Sequence, residues 1–188
     1  MKILNKPVLI LNKSWIPIRI KTVKSAIIMS YRDKATIVDP VNYNTYSWSK
    51  WIQLAVLKDE DCIHSANQNI KIPEIIILSK YNKVPQYDVK LTKRNIFLRD
   101  NFKCQYTGKK VNSTNGDIDH IMPISRGGKT TWDNLVVTFK DINRKKSNKT
   151  LQEAGLKLNK MPIKPTTQAL MRNRVSDYPE SWQKFFKQ

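Results

Sequence analysis

The apolar residues of this chain come in short runs that polar or turn-forming residues keep interrupting. No purely aliphatic run exceeds the four residues of Ile75-Ile76-Ile77-Leu78, far below the roughly 20 that span a bilayer. Pro7-Val8-Leu9-Ile10-Leu11 gives way at once to Asn12-Lys13, too short for the core of a signal peptide. With 40% hydrophobic residues in 188, the chain has material for a real core and about one domain plus a remainder. Its two cysteines, Cys62 and Cys104, cannot by themselves form a disulfide framework or a four-thiolate zinc site. The expected setting is a reducing cytoplasm, with no membrane partner, and secreted and collagen-like classes fall away. Charge narrows the partners: Lys+Arg 34 against Asp+Glu 15 gives a net +19. A chain this basic seeks polyanions, and nucleic acid leads that class.

The runs read as an α+β protein. Val8-Leu9-Ile10-Leu11 and residues 15–20 are extended in type and split by Asn12-Lys13-Ser14, which predicts a hairpin. Thr22 is placed to cap a helix through Ala26-Ile27-Ile28-Met29. Residues 35–38 read as a strand ended by Asp39-Pro40. Residues 49–57 have helical spacing in Trp51, Leu54, Ala55 and Leu57. Residues 70–78 read as extended, with Pro73 predicting an edge position. The polar stretch 79–91 with Pro85 predicts a boundary, and Thr92 opens a helix over 93–100. The predicted organisation is a leader domain at 1–88, a second domain at 89–158, and a basic C-terminal arm at 159–188 whose short aromatic-bearing helix docks back on the body.

One stretch gathers chemistry: Asp117-Ile118-Asp119-His120-Ile121-Met122-Pro123, then Ser125-Arg126-Gly127-Gly128, Asp133-Asn134-Leu135 and Asn143-Arg144-Lys145-Lys146. Its alternation suits a strand with Asp119 and His120 on opposite faces. A carboxylate beside an imidazole can hold a hard cation and deprotonate a water, if a second segment completes the site. A histidine there can equally be satisfied by an ordinary hydrogen bond, and the pair alone leaves both readings open.

The ordered pattern goes further than the pair. Asp-His, an Asn 14 positions after the His and a second Asn nine beyond it, with a Gly-Gly loop between, resembles the HNH endonuclease family. The likeness extends to the ββα-metal finger of bacterial and phage HNH proteins and to the HNH module of RNA-guided CRISPR nucleases. It covers residues 91–158, and Leu11-Asn12-Lys13-Ser14-Trp15-Ile16-Pro17 resembles the leader that precedes the finger in one subfamily.

The resemblance implies an α+β fold: a small N-terminal α/β leader, an HNH ββα-metal finger and a basic C-terminal arm. It implies metal-dependent hydrolysis of DNA phosphodiesters. His120 is then the general base, Asp119 and Asn143 (at a helix start) the metal ligands, and Asn134 the residue that braces the loop and holds the His120 ring in orientation through hydrogen bonds. Such an oxygen-only ligand set suits Mg²⁺, with Mn²⁺ tolerated.

Many relatives pin the finger with zinc on two Cys-x-x-Cys pairs. Here those positions read Cys104, Thr107, Phe139 and Ile142, so no structural zinc is expected. Cys104 is then a small buried hydrophobe, with Phe139 and Ile142 packing in place of metal ligation.

Ten Lys and Arg residues lie between Lys140 and Arg174 against Asp141 and Glu153. Arg144, Lys145, Lys146 and Lys149 are read as phosphate contacts on double-stranded DNA, joined by Arg126. Gly127-Gly128 taken alone reads as an ordinary tight turn; its place between His120 and Asn134 supports a loop that lets backbone approach phosphate. A single finger cuts one strand, so double cleavage needs a homodimer or rebinding. A strand-nicking enzyme and a non-catalytic DNA binder are the alternative functions. A phage or mobile-element origin fits the pattern, which would place a phage-encoded protein in the host cytoplasm.

Overall fold

In the computed structural model, which describes residues 3–57, 60–83, 88–175 and 178–186, the first two strands form the predicted hairpin. Strands β1 (Pro7–Leu11) and β2 (Pro17–Thr22) pair antiparallel. Asn12 makes their connection: its side chain is fully buried, and its Oδ1 accepts from the backbone N–H of Ser14 at 3.0 Å and of Ile16 at 2.9 Å. A short side-chain acceptor at this point satisfies main-chain donors that a tight turn would otherwise leave unpaired.

The chain forms two compact units, one of residues 1–86 with 175–188 and one of residues 87–174. Pro85, on which the expected boundary rests, lies outside the described residues. In unit 1, Thr22 caps α1 (Val23–Tyr31), its Oγ1 accepting from Ser25 N–H at 3.3 Å. Strands β3 (Ala35–Val38) and β4 (Thr45–Tyr46) follow, then α2 (Trp48–Trp51), the small ribbon β5 (Cys62–His64) with β6 (Asn69–Lys71), and β7 (Ile75–Leu78). The five-stranded sheet runs β2-β1-β7-β3-β4, antiparallel except for the parallel pair β1–β7.

Two expectations change here. The helix expected over 49–57 is a single turn at Trp48–Trp51, capped by Ser47. Residues 70–78 are two strands, and β7 lies inside the sheet, not at its edge. Pro73 does not oppose this, because it falls in the connection between β6 and β7, where no ladder needs its missing N–H. Val8, Ile10, Ile37 and Ile76 share one buried cluster with Val23, Ala26 and Trp51; full burial of such side chains is worth roughly 1.5–3 kcal/mol each.

Unit 2 begins with α3 (Lys93–Arg99), capped by Thr92 as the sequence predicts. Strands β8 (Gly116–His120) and β9 (Leu135–Phe139) pair antiparallel, with Asp119 opposite Val136 and His120 opposite Leu135. Helix α4 (Lys140–Lys146) follows directly on β9, and α5 (Thr167–Arg172) comes later. Arg99 fastens α3 to β9, donating to Trp132 O at 2.7 Å and Leu135 O at 2.6 Å while paired with Asp100; Asp100 in turn accepts from Val137 N–H at 2.8 Å. Cys104 is fully buried in a cluster with Ile96, Phe97, Leu135 and Val137, against which Phe139 and Ile142 pack.

The expected separate arm at 159–188 is divided between the units. Leu170 and Met171 are buried and Asn173 donates to Leu98 O at 2.8 Å, which ties this part to α3. Beyond it, a 3₁₀ turn at Glu180–Trp182 and α6 (Gln183–Phe186) belong to unit 1. Trp182 is fully buried there and donates to Glu74 O at 3.1 Å. Among the described residues, no helix is long and apolar enough to cross a membrane.

Candidate active site

Two periodicities meet where α4 lies on β8. Along a strand, residues two apart share a face; along a helix, residues three apart do. Asp117 and Asp119 are one such strand pair, and Asn143 and Lys146 one such helix pair. Asn143 Nδ2 donates to Asp117 Oδ2 at 3.1 Å and to Ile118 O at 3.3 Å. Lys146 Nζ donates to Asp119 Oδ1 at 3.0 Å and to His120 O at 2.6 Å. The helix ends immediately after Lys146, where Ser147 takes φ 49° and its N–H returns to Asn143 O. Positive φ is costly for a residue with a Cβ, and here it falls on a serine, not a glycine.

Asp119 is 4% exposed. Its second oxygen accepts from the Tyr106 hydroxyl at 2.5 Å. Burial first, and then the Asp119 carboxylate, push the Tyr106 phenol well above its ordinary range, so it stays protonated and donates. Asp117 is more open. Burial pushes its carboxyl up, but the Ile118 backbone N–H, the Asn143 amide and Lys93 outweigh this and hold it below the ordinary carboxylate value.

His120 is half-buried, and its Nε2 lies 3.1 Å from Thr130 Oγ1. Asn134 directs its side-chain hydrogen bonds to backbone. Its Oδ1 accepts from Met122 N–H at 2.8 Å, and its Nδ2 donates to Met122 O at 3.1 Å and Lys129 O at 2.8 Å. It therefore braces the loop that carries Thr130, and the ring-orienting contact expected of Asn134 belongs to Thr130. Gly127 adopts φ +85°, and a Cβ on Gly128 would lie 1.9 Å from Met122 O. The close backbone approach that this glycine permits is thus to the chain's own loop.

The basic residues separate into three environments. Arg144, Lys145 and Lys149 are exposed. Arg126 is exposed but pairs with Glu153 at 2.9 Å. Lys146 is the correction: its side chain is 0% exposed, so it cannot meet DNA phosphate. An ammonium removed from water needs a carboxylate and further acceptors, and Asp119 with the His120 carbonyl provides them.

A second difference concerns the expected ligands. Asn143 sits within α4, not at its start, and its amide nitrogen donates to Asp117 and Ile118. In donor type the pair fits a hard cation, since Asp119 offers a carboxylate and Asn143 an amide oxygen. A carboxylate has about four lone-pair sites, and the two donors on Asp119 use only part of them. Its charge, however, is already matched by Lys146. Among the described residues no group of three or more His, Cys, Asp or Glu side chains forms a ligand cluster.

Tyr106, Asp117, Thr130 and the buried position of Lys146 are not among the residues the sequence singles out for the site. The repeat Asp117-x-Asp119 against Asn143-x-x-Lys146 is a legible signal for two of them; Thr130 and Tyr106 have none.

Comparison with known families places both units. The family model described as HNH endonuclease matches residues 104–151, which hold β8, β9 and α4. The model described as HNH endonuclease-associated, N-terminal domain matches residues 8–86. No curated protein matches the chain. HNH nucleases generally use a divalent metal, and their domain implies DNA as substrate. With its leader and its hairpin–helix both matched, the chain is a protein of the HNH endonuclease family.

Proposed function

We propose that the protein is a metal-dependent endonuclease that hydrolyses phosphodiester bonds in double-stranded DNA, with His120 as general base. The observation that carries this reading is His120 standing half-exposed at the end of β8, beside Asp119, in the hairpin and helix matched by the HNH model. With its proton on Nε2, the imidazole donates to Thr130 Oγ1 and keeps Nδ1 to accept a proton from water. Asn134 fixes the loop that holds Thr130, so it acts on the ring at one remove. Asp119 and Asn143 would hold the cation, Mg²⁺ by preference and Mn²⁺ as a substitute. Once bound, that ion polarises the scissile phosphate and stabilises the leaving oxygen. Arg144, Lys145 and Lys149 grip backbone phosphates, and Arg126 joins them if it leaves Glu153.

A second reading, a DNA-binding protein without catalysis, is favoured by one observation: both oxygens of Asp119 already accept from protein donors. A supercoiled-plasmid nicking assay with Mg²⁺, with Mn²⁺ and with EDTA separates the two. The nuclease reading expects nicked circles in either metal and none in EDTA. Intact plasmid under all three conditions, with DNA still shifted in a gel, leaves the binder. Linear product at high protein concentration would indicate paired cuts by two copies.

A further inference from the structure

We propose that Lys146 is a resident counter-cation of the Asp119 carboxylate, one that keeps a divalent metal from binding there until DNA adds its own phosphate charge. The proposal rests on Asp119 being a metal ligand. Lys146 Nζ lies 3.0 Å from Asp119 Oδ1 with both side chains out of solvent, 0% and 5% exposed. At that distance and burial the attraction is screened far less than at a surface.

The charges around Asp119 then sum to nothing. Lys146 cancels the carboxylate, while the Asn143 amide and the Tyr106 hydroxyl that donates to its other oxygen add no charge. The nearest second acid on the strand, Asp117, has Lys93 at 3.4 Å, and the chain as a whole carries +19. A dication approaching this region alone meets no net negative charge. A phosphodiester seated beside His120 adds one, and its oxygens add ligands of the type a hard cation takes. Metal and DNA therefore bind with positive coupling, each raising the affinity for the other by the same factor.

The test is Mn²⁺ binding to the full chain without DNA, read by electron paramagnetic resonance of the free ion. Two variants remove the charge: Lys146→Met, and Lys146→Gln, which keeps a donor for the His120 carbonyl. Each should bind Mn²⁺ at least about tenfold more tightly than the parent, and adding Asp119→Asn should abolish the gain. A lysine that only supports the fold would loosen the site on removal, so the direction itself discriminates. Unchanged or weaker Mn²⁺ binding in both variants overturns the proposal. So does a gain that survives Asp119→Asn, or tight Mn²⁺ binding by the parent without DNA. If neither variant folds in chelator, saturating Mn²⁺ must restore the fold; chains that stay unfolded overturn the proposal as well. Nicking that persists in EDTA would instead count against the metal-dependent nuclease reading, and this titration, which contains no DNA, does not depend on that result.

Discussion

The sheet of unit 1 and the hairpin of unit 2 are built on opposite principles. In unit 1, β1 and β7 are buried along nearly their whole length, and the core around Val8, Ile37, Trp51 and Ile76 is hydrocarbon. Its fully buried polar groups are Asn12, which satisfies a turn, and Ser30. Unit 2 instead buries an ammonium and a carboxylate where β8 meets α4, and a second ion pair, Arg99–Asp100, with side chains 7% and 6% exposed. Apolar burial stabilises in proportion to area, whereas a buried ion pair is weak evidence for stability because desolvation offsets its attraction. The Lys146–Asp119 pair in unit 2 sits beside His120, where it sets geometry and charge, and its cost falls in the unit matched by the HNH endonuclease model.

The sharpest break of that contrast is His120→Ala. Losing a general base costs roughly 10²–10⁴ in rate, and because the residue contributes to no core, thermal stability and DNA affinity should stay near the parent's. Cleavage at the parental rate would remove His120 from the reaction.

Next come the buried groups themselves. Lys146→Met strands a buried carboxylate and should cost about 3–5 kcal/mol in metal-free buffer, yet replacing both partners, Asp119→Leu with Lys146→Met, should recover most of that loss, short of the roughly 1–3 kcal/mol for the Tyr106 hydroxyl left without its acceptor. Ile76→Ala in unit 1 should cost about 2–5 kcal/mol, and no second apolar substitution should recover it. Denaturant titrations of the four proteins decide; a double variant as unstable as Lys146→Met would mean the pair supports the fold after all.

A smaller loss is expected from Tyr106→Phe, roughly 1–3 kcal/mol, for the hydrogen bond to Asp119. Its pH signature has a definite sign. The folded phenol holds its proton to higher pH than the unfolded one, so its contribution is complete below about pH 10 and fades as pH rises above that. Melting curves from pH 8 to 11 should show a shallower alkaline decline in Tyr106→Phe. Parallel declines would deny that burial and the Asp119 carboxylate together hold the phenol protonated.

The mildest change concerns the surface. Replacing Arg144 and Lys145 with Ala should flatten the log–log salt dependence of DNA binding by roughly one to two units. An unaltered slope would make these residues a solvated face.

Much of this was readable from residue order. The Thr22 and Thr92 caps, the hairpin around Asn12 and the β8 alternation follow from local chemistry, and the Asp-His-Asn-Asn order carried the family. The misplacement of β7 arose because Pro73 was read as part of a continuous strand, whereas the chain breaks there between two. The fate of Lys146 was hidden for a different reason. Four basic residues in a row of six look alike in sequence, and only the helix rotation set by β9 decides that Lys146 faces Asp119 while Arg144 and Lys145 face water. The link from His120 to Thr130 depends on the path of a loop that no periodicity describes.

The seating of Trp182 against Glu74 has a consequence for synthesis. Residues 87–174 leave the ribosome before Trp182 does, so the β8–β9 hairpin can be whole while the leader still lacks the indole that donates to the Glu74 carbonyl. Translation that halts near Arg174 would yield a complete unit 2 joined to an unfinished unit 1. The leader is begun before unit 2 and closed after it, so its integrity reports that elongation has passed residues 87–174.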